Sequence, residues 1–176
     1  MIKENHKFLI DKYYQTAQIC ENGHVITSSV EDNPEQCEKF CHHCGAKTLT
    51  NCPRCKNSIR GDYVYIDRED IEYGPIILEH MKRPSFCPDC GQPFPWTVKA
   101  VAAAKELVAA DSKLSDQDKN DFKNNVEKLT HNSFETISTA IQVKKILLKV
   151  GAVTAEGLKD ILVSIVSESA KKILWP

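Results

Sequence analysis

Phe40-Cys41-His42-His43-Cys44-Gly45-Ala46-Lys47-Thr48-Leu49-Thr50-Asn51-Cys52-Pro53-Arg54-Cys55 carries two CxxC turns in close succession. A third, Cys87-Pro88-Asp89-Cys90, follows it, and Cys20-Glu21-Asn22-Gly23-His24 precedes it. Each pair offers two metal donors from one tight turn, and two such turns make a tetrahedral site with Zn–S bonds of about 2.3 Å. The turn residues agree. Gly45 and Gly91 follow the second cysteine of their pairs and Gly23 precedes His24, where a knuckle often needs positive φ. Pro53 and Pro88 set φ inside their turns. The predicted ligands are Cys20, His24, Cys41, Cys44, Cys52, Cys55, Cys87 and Cys90, enough for two Zn²⁺ per chain.

Sequential pairing joins Cys20 and His24 to Cys41 and Cys44, and Cys52 and Cys55 to Cys87 and Cys90. That describes two zinc ribbons in tandem, each a pair of knuckles joined by a short β-hairpin. Tyr63-Val64-Tyr65-Ile66 reads as a strand in the second, with Ile76-Ile77-Leu78 as its partner. Interleaved pairing is the alternative and would give a cross-braced fold of the RING or FYVE kind. Cys37 has no partner at CxxC spacing and reads as a spare thiol. His42 and His43 read as exposed knuckle residues, and His80 and His131 as surface or cap histidines.

Outward from these turns the chain changes character. It has 176 residues, 41% hydrophobic and 27% charged, which is globular material for one medium domain or two small ones. All eight cysteines, all the arginines and seven of eight prolines lie at or before Pro95. Pro93-Phe94-Pro95-Trp96 is the expected boundary, because two prolines stop any regular element. The expected fold is α+β: residues 1–96 form the double zinc-ribbon domain and residues 97–176 a small all-α helical domain. Met1 to Lys7 shows no basic segment leading into an apolar run, so no signal peptide is expected. No apolar stretch nears the roughly 20 residues of a membrane span. A cytoplasmic location follows as the expectation; thiols stay reduced there, and CxxC pairs take metal.

Four helices are expected after the boundary. The first covers 98–110, and the second follows the Ser115 cap and its acidic first turn. The third opens at Ser133 and closes at Gly151, read as a C′ glycine. The last starts at Thr154 or Ala155 and runs through Leu158, Ile161, Leu162, Ile165, Val166, Ala170, Ile173 and Leu174 at i, i+3, i+4, i+7 spacing. Such stripes pack a bundle; the width of the last also suggests a dimer or partner surface on the C-terminal helices.

A family resemblance rests on quoted stretches: Tyr14-Gln15-Thr16-Ala17-Gln18-Ile19-Cys20-Glu21-Asn22-Gly23-His24, Phe40 to Thr48, Cys52-Pro53-Arg54-Cys55, and Pro84-Ser85-Phe86-Cys87-Pro88-Asp89-Cys90-Gly91-Gln92-Pro93-Phe94-Pro95-Trp96-Thr97. Together with the tail from Lys144 to Leu174, they resemble an uncharacterised bacterial family, domain of unknown function 2321. The segment Gly61 to Met81 departs from its pattern. The resemblance implies a bacterial, cytoplasmic protein with a Cys/His-rich front and a helical tail, and implies no activity.

Charge and motifs narrow the function classes. A metal held by four protein ligands is structural and leaves no position for water. There is no Walker loop, GxSxG or HExxH, so no catalytic residue is assigned and an enzyme is not expected. Lys+Arg 23 against Asp+Glu 24 gives a formal charge of −1, and seven thiolates with two Zn²⁺ would make it more negative still. That balance disfavours a surface built to neutralise phosphates. Lys47, Arg54, Lys56 and Arg60 could still form a local basic patch, which keeps nucleic-acid binding as the alternative. The favoured reading is a non-enzymatic adaptor for a protein partner, or a homo-oligomer formed through the C-terminal helices, with no membrane role. Tyr63, Tyr65, Tyr73 and Ile76-Ile77-Leu78 are its candidate contact residues.

Overall fold

One extended run, Ile10 to Cys20, serves two sheets. In the computed structural model, which describes residues 10–67 and 74–176, it forms β1 (Ile10–Thr16) and β2 (Gln18–Cys20), broken at Ala17. Ala17 is buried, and its N–H donates to the Ile59 carbonyl at 2.8 Å. β3 (Val25–Thr27), β4 (Thr48–Leu49), β5 (Arg60–Asp67) and β6 (Ile76–Glu79) complete the strands. The sheets have the orders β1-β5-β6 and β3-β2-β4, and every pairing is antiparallel.

The expected pairing of the Tyr63 strand with Ile76-Ile77-Leu78 is present, with Val64 opposite Ile77 and Tyr65 opposite Ile76. β1, on the other side of β5, was not legible. Its sequence, Ile-Asp-Lys-Tyr-Tyr-Gln-Thr, lacks apolar alternation. Its buried Gln15 is polar and hydrogen-bonds the Asp32 side chain.

Two residues lock the crossing of these sheets. A Cβ on Gly61 would lie 1.9 Å from the Ser28 carbonyl oxygen, so only glycine lets β5 pass there. Next to it, buried Asp62 accepts from Ser28 Oγ at 2.8 Å and from the Met81 N–H at 2.6 Å. A buried carboxylate needs such donors; here they join the loop after β3, β5 and the chain leaving β6.

The chain divides into two compact units, Met1–Pro95 and Trp96–Pro176. The second is all α: α1 (Pro95–Ala110), α2 (Asp116–Asn125), α3 (Thr136–Leu147), α4 (Ala152–Val163) and α5 (Glu168–Leu174). Phe122, Leu129, Ala140, Val143, Leu158 and Leu162 are fully buried at its core. Ser115 caps α2, accepting from the Asp118 N–H. Among the described residues no helix is long and apolar enough to cross a membrane.

Two helix expectations need correction. Gly151 is not a left-handed C′ residue; it has φ −64° and stands at the N-cap of α4, its N–H held by Asp111 Oδ2 at 2.9 Å. The last helix is two. The Ser167 N–H leaves the helical ladder for the Leu129 carbonyl at 2.9 Å, and the Ser167 side chain caps α5. That break lets α5 pack against α3 and turns Ile165, Val166, Ala170 and Leu174 into the core.

Candidate metal centres

The three CxxC turns share one backbone design. The first cysteine's N–H donates to a carbonyl five residues on: Cys41 to Ala46 at 2.8 Å, Cys52 to Asn57 at 2.8 Å, Cys87 to Gln92 at 2.9 Å. The N–H after the second cysteine returns to the first cysteine's carbonyl, from Gly45 at 2.7 Å, Lys56 at 2.9 Å and Gly91 at 2.9 Å. An isolated bridge closes the base of each turn: Phe40 with Lys47, Asn51 with Ser58, Phe86 with Pro93. The return requires the left-handed region, where Gly45 and Gly91 have φ +69° and +70°. Lys56, at φ 68°, is the one non-glycine residue with positive φ among the described residues. The Cys20–His24 turn is tighter and closes through the Gly23 N–H to the Cys20 carbonyl at 2.8 Å.

These turns meet in pairs. Cys20, His24, Cys41 and Cys44 form one cluster, and Cys52, Cys55, Cys87 and Cys90 the other; in each, the donor atoms lie within 4.8 Å of one another. Cys20 Sγ is 3.8 Å from Cys44 Sγ and 3.5 Å from His24 Nδ1, and Cys41 Sγ is 3.6 Å from the same nitrogen. In the other cluster Cys52 and Cys90 are 3.8 Å apart, and Cys55 and Cys87 3.6 Å. A disulfide would need about 2.05 Å; all eight cysteines carry free thiols. Each turn contributes one buried cysteine (Cys20, Cys41, Cys52 or Cys87) and one donor nearer solvent. Both clusters are compatible with metal coordination.

Within each cluster the thiols are shifted in opposite directions or by opposing causes. The Ala46 N–H bond, with smaller help from His24 and Asn22, holds Cys44 down at about 6. Burial pushes Cys52 up, but N–H groups of Cys55 and Arg54 outweigh it and leave it at about 7. Burial pushes Cys20 up. Cys55 is pushed up to about 12: its bond from Asn57 opposes the rise, which comes from burial and the three neighbouring thiols. Thiols this close cannot all ionise without a positive charge between them.

Several residues near the clusters were not legible as participants. Arg83 lies remote in sequence from the first cluster, yet its Nη1 donates to the Gly23 carbonyl at 3.0 Å and its charge interacts with Cys20. Lys56 occupies a position that its sister turns give to glycine, a signal that aligning the three turns would have shown. Cys37 belongs to neither cluster; it lines a shallow cavity with Gln18, Phe40 and Lys47. His42 is exposed and its Nδ1 pairs with Glu38 at 2.8 Å, while the His43 ring stands 5.5 Å from that of His24. His80 is also exposed, 3.8 Å from Asp62. Ile76, Ile77 and Leu78 are about half exposed and the Tyr63 ring packs on Tyr14 at 4.7 Å, while Tyr73 lies outside the described residues.

Residues 13–174 match the family described as "Uncharacterized protein conserved in bacteria (DUF2321)", and the chain belongs to it. No match was found among curated proteins or among solved structures.

Proposed function

Proceeding from that family membership, we propose that each cluster holds one Zn²⁺, that residues 20–91 form two tandem zinc ribbons, and that the protein is a non-enzymatic protein-binding module. Donor spacing carries the metal reading. A tetrahedral ion with Zn–S bonds of about 2.3 Å sets its sulfurs about 3.8 Å apart, and a nitrogen at about 2.0 Å lies about 3.5 Å from each sulfur. The Sγ separations of 3.6 and 3.8 Å and the Sγ–Nδ1 separations of 3.5 and 3.6 Å agree with that figure. Zinc bound there supplies a cross-link between turns and the charge that lets the thiols ionise.

Four protein donors per site leave no position for a reacting water, which supports a structural role. The reduced thiols it requires suit a bacterial cytoplasm. The exposed Ile76-Ile77-Leu78 edge beside Tyr63 and Tyr65 supports a protein partner. Nucleic-acid binding draws less support, since Arg60 is 3.7 Å from Asp89 and stacks 4.9 Å above the Tyr14 ring.

Elemental analysis of the purified chain should find two Zn per copy, unchanged in Cys37→Ser. Folded protein with one zinc or none sinks the proposal. For binding, capture by the wild type and by Ile77→Lys should be compared; a partner kept equally by both would rule out the β6 edge. Salt-sensitive retention of DNA or RNA on a filter would favour the nucleic-acid reading instead.

A further inference from the structure

Cys37, the thiol in neither metal cluster, is half-buried and free, and it opens into a cavity of about 430 Å³. The walls include Gln18, Lys39, Phe40 and Lys47. The strap that carries the thiol is fixed on several sides. The Cys37 N–H donates to the Pro34 carbonyl at 3.2 Å, and the Thr48 N–H to the Lys39 carbonyl at 3.2 Å. The Thr48 hydroxyl donates to the Glu38 carbonyl. Gln18 Oε1 accepts the Glu38 N–H at 2.8 Å, which sets its amide against the peptide unit that follows Cys37. Gln18 is only 8% exposed, yet its Nε2 has no acceptor among the described residues. Every side-chain nitrogen or oxygen there that is shut off from solvent does have a partner. The Gln18 nitrogen therefore meets the solvent of the cavity that its residue lines. A nearly buried amide with an unused donor is ready for an acceptor brought by a ligand.

Charge selects the ligand. Glu38, the acid of the cavity, is committed to His42: its carboxylate pairs with His42 Nδ1 at 2.8 Å and accepts the His42 N–H at 3.2 Å. The ammonium groups of Lys39 and Lys47 enter no ion pair among the described residues. Two cations and an amide donor thus surround the thiol with no acid to answer them. We propose that Cys37 is a modification site that captures small disulfides bearing carboxylates as mixed disulfides. The Cys37 thiol gives its proton to water, and the thiolate attacks one sulfur of R–S–S–R. The new S–S bond forms as the old one breaks, and R–S⁻ leaves with that bond's electron pair and takes up a proton. The net change is thiol plus disulfide to mixed disulfide plus R–SH. The incoming disulfide is itself the oxidant, and its leaving half is what is reduced. Lys39, Lys47 and Gln18 Nε2 hold the carboxylate of the captured half. Phe40, 64% exposed, covers its alkyl part. The site goes beyond the protein-binding reading and uses no proposed metal ligand.

The full chain should be incubated at low salt with the disulfide of mercaptopropionate, a dicarboxylate, and in parallel with the neutral disulfide of mercaptoethanol. Peptide mapping by mass spectrometry follows the adduct on Cys37 over time. The dicarboxylate should leave a mercaptopropionate adduct there that a reductant removes. Lys39→Gln combined with Lys47→Gln should slow that reaction by about fivefold, the scale of exposed ion pairs, and leave the rate with the neutral disulfide unchanged. High salt should shrink the difference. Gln18→Glu keeps an acceptor for the Glu38 N–H but replaces the donor with a carboxylate, and it should also slow the dicarboxylate selectively. The neutral disulfide is the control for a disturbed fold, since a displaced thiol would change its rate with both reagents. Cys37 left unmodified by the dicarboxylate overturns the proposal. So does a lysine or Gln18 variant that slows both disulfides equally or neither. Because the adduct is read at Cys37 itself, an error in the zinc reading shows separately, as adducts on the cluster cysteines or as a missing metal.

Discussion

The two units solve the same problem with different chemistry. The front unit has little apolar core: Ala17, Ile19, Ile59, Val64 and Phe94 are fully or almost fully buried, and four cysteines are buried beside them. Its remaining order comes from backbone turns, the Asp62 hub, and donors gathered within 4.8 Å. The helical unit buries sixteen apolar residues in one cluster and has no such gathering of donors. A unit with so few buried apolar side chains gains little from burial to offset the entropy of ordering it, and the proposed zinc cross-links supply the difference. A helical repeat of apolar positions can do so unaided.

The largest effect that could break this comparison is metal removal. Structural zinc contributes about 10–16 kcal/mol per site in small modules. A strong chelator should therefore abolish amide protection between Cys20 and Gly91, Cys52→Ser should abolish it around the second cluster only, and both should leave α1 to α5 protected. Hydrogen exchange reads both; loss across the whole chain would show that the units do not stand separately. Next is Leu162→Ala, which deletes a fully buried side chain and should cost the helical unit about 2–5 kcal/mol in denaturant titration. Its zinc content should not change.

Acid should sharpen the contrast within the helical unit. Bonds from the Thr154 side chain first, then the N–H groups of Gly151 and Lys113, hold Asp111 below the usual carboxylate range. A depressed pKa contributes stability above the unfolded value of about 3.9, lost as pH falls through the folded value. Asp111→Asn should lower the melting temperature at neutral pH and flatten the fall below about pH 4. An unaltered acid limb would remove Asp111 from the α3–α4 junction. The smallest effect lies in the front unit. Lys56→Gly relieves a left-handed non-glycine residue and should raise stability by about 1 kcal/mol, with two zincs retained. A decrease would mean the lysine side chain, whose Nζ donates to the Pro53 carbonyl at 2.8 Å, outweighs its backbone strain.

The donors were legible because CxxC spacing is local: one turn must carry both, and Gly45, Gly91, Pro53 and Pro88 show where it bends. Helices α1 and α2 were legible from periodicity and the Ser115 cap. The split of the last helix was not, since Ser164-Ile165-Val166-Ser167 keeps the apolar rhythm unbroken. What stops the helix there is the Leu129 carbonyl, 38 residues earlier in the chain.

From residue types and local spacing alone came the four turns, the division near Pro95, and the apolar positions that build a bundle. Backbone geometry and short-range periodicity act over a few residues, so a linear reading captures them. Tertiary structure alone decided which turns meet, that β1 pairs with β5, that Arg83 reaches the Gly23 turn, and which apolar stripe is consumed. The wide stripe of the last helix goes into the core, while Ile137 and Ile141 of α3 stay exposed. Two stripes of equal hydrophobicity are indistinguishable until the chain has chosen which to bury, because burial is a property of the whole packing.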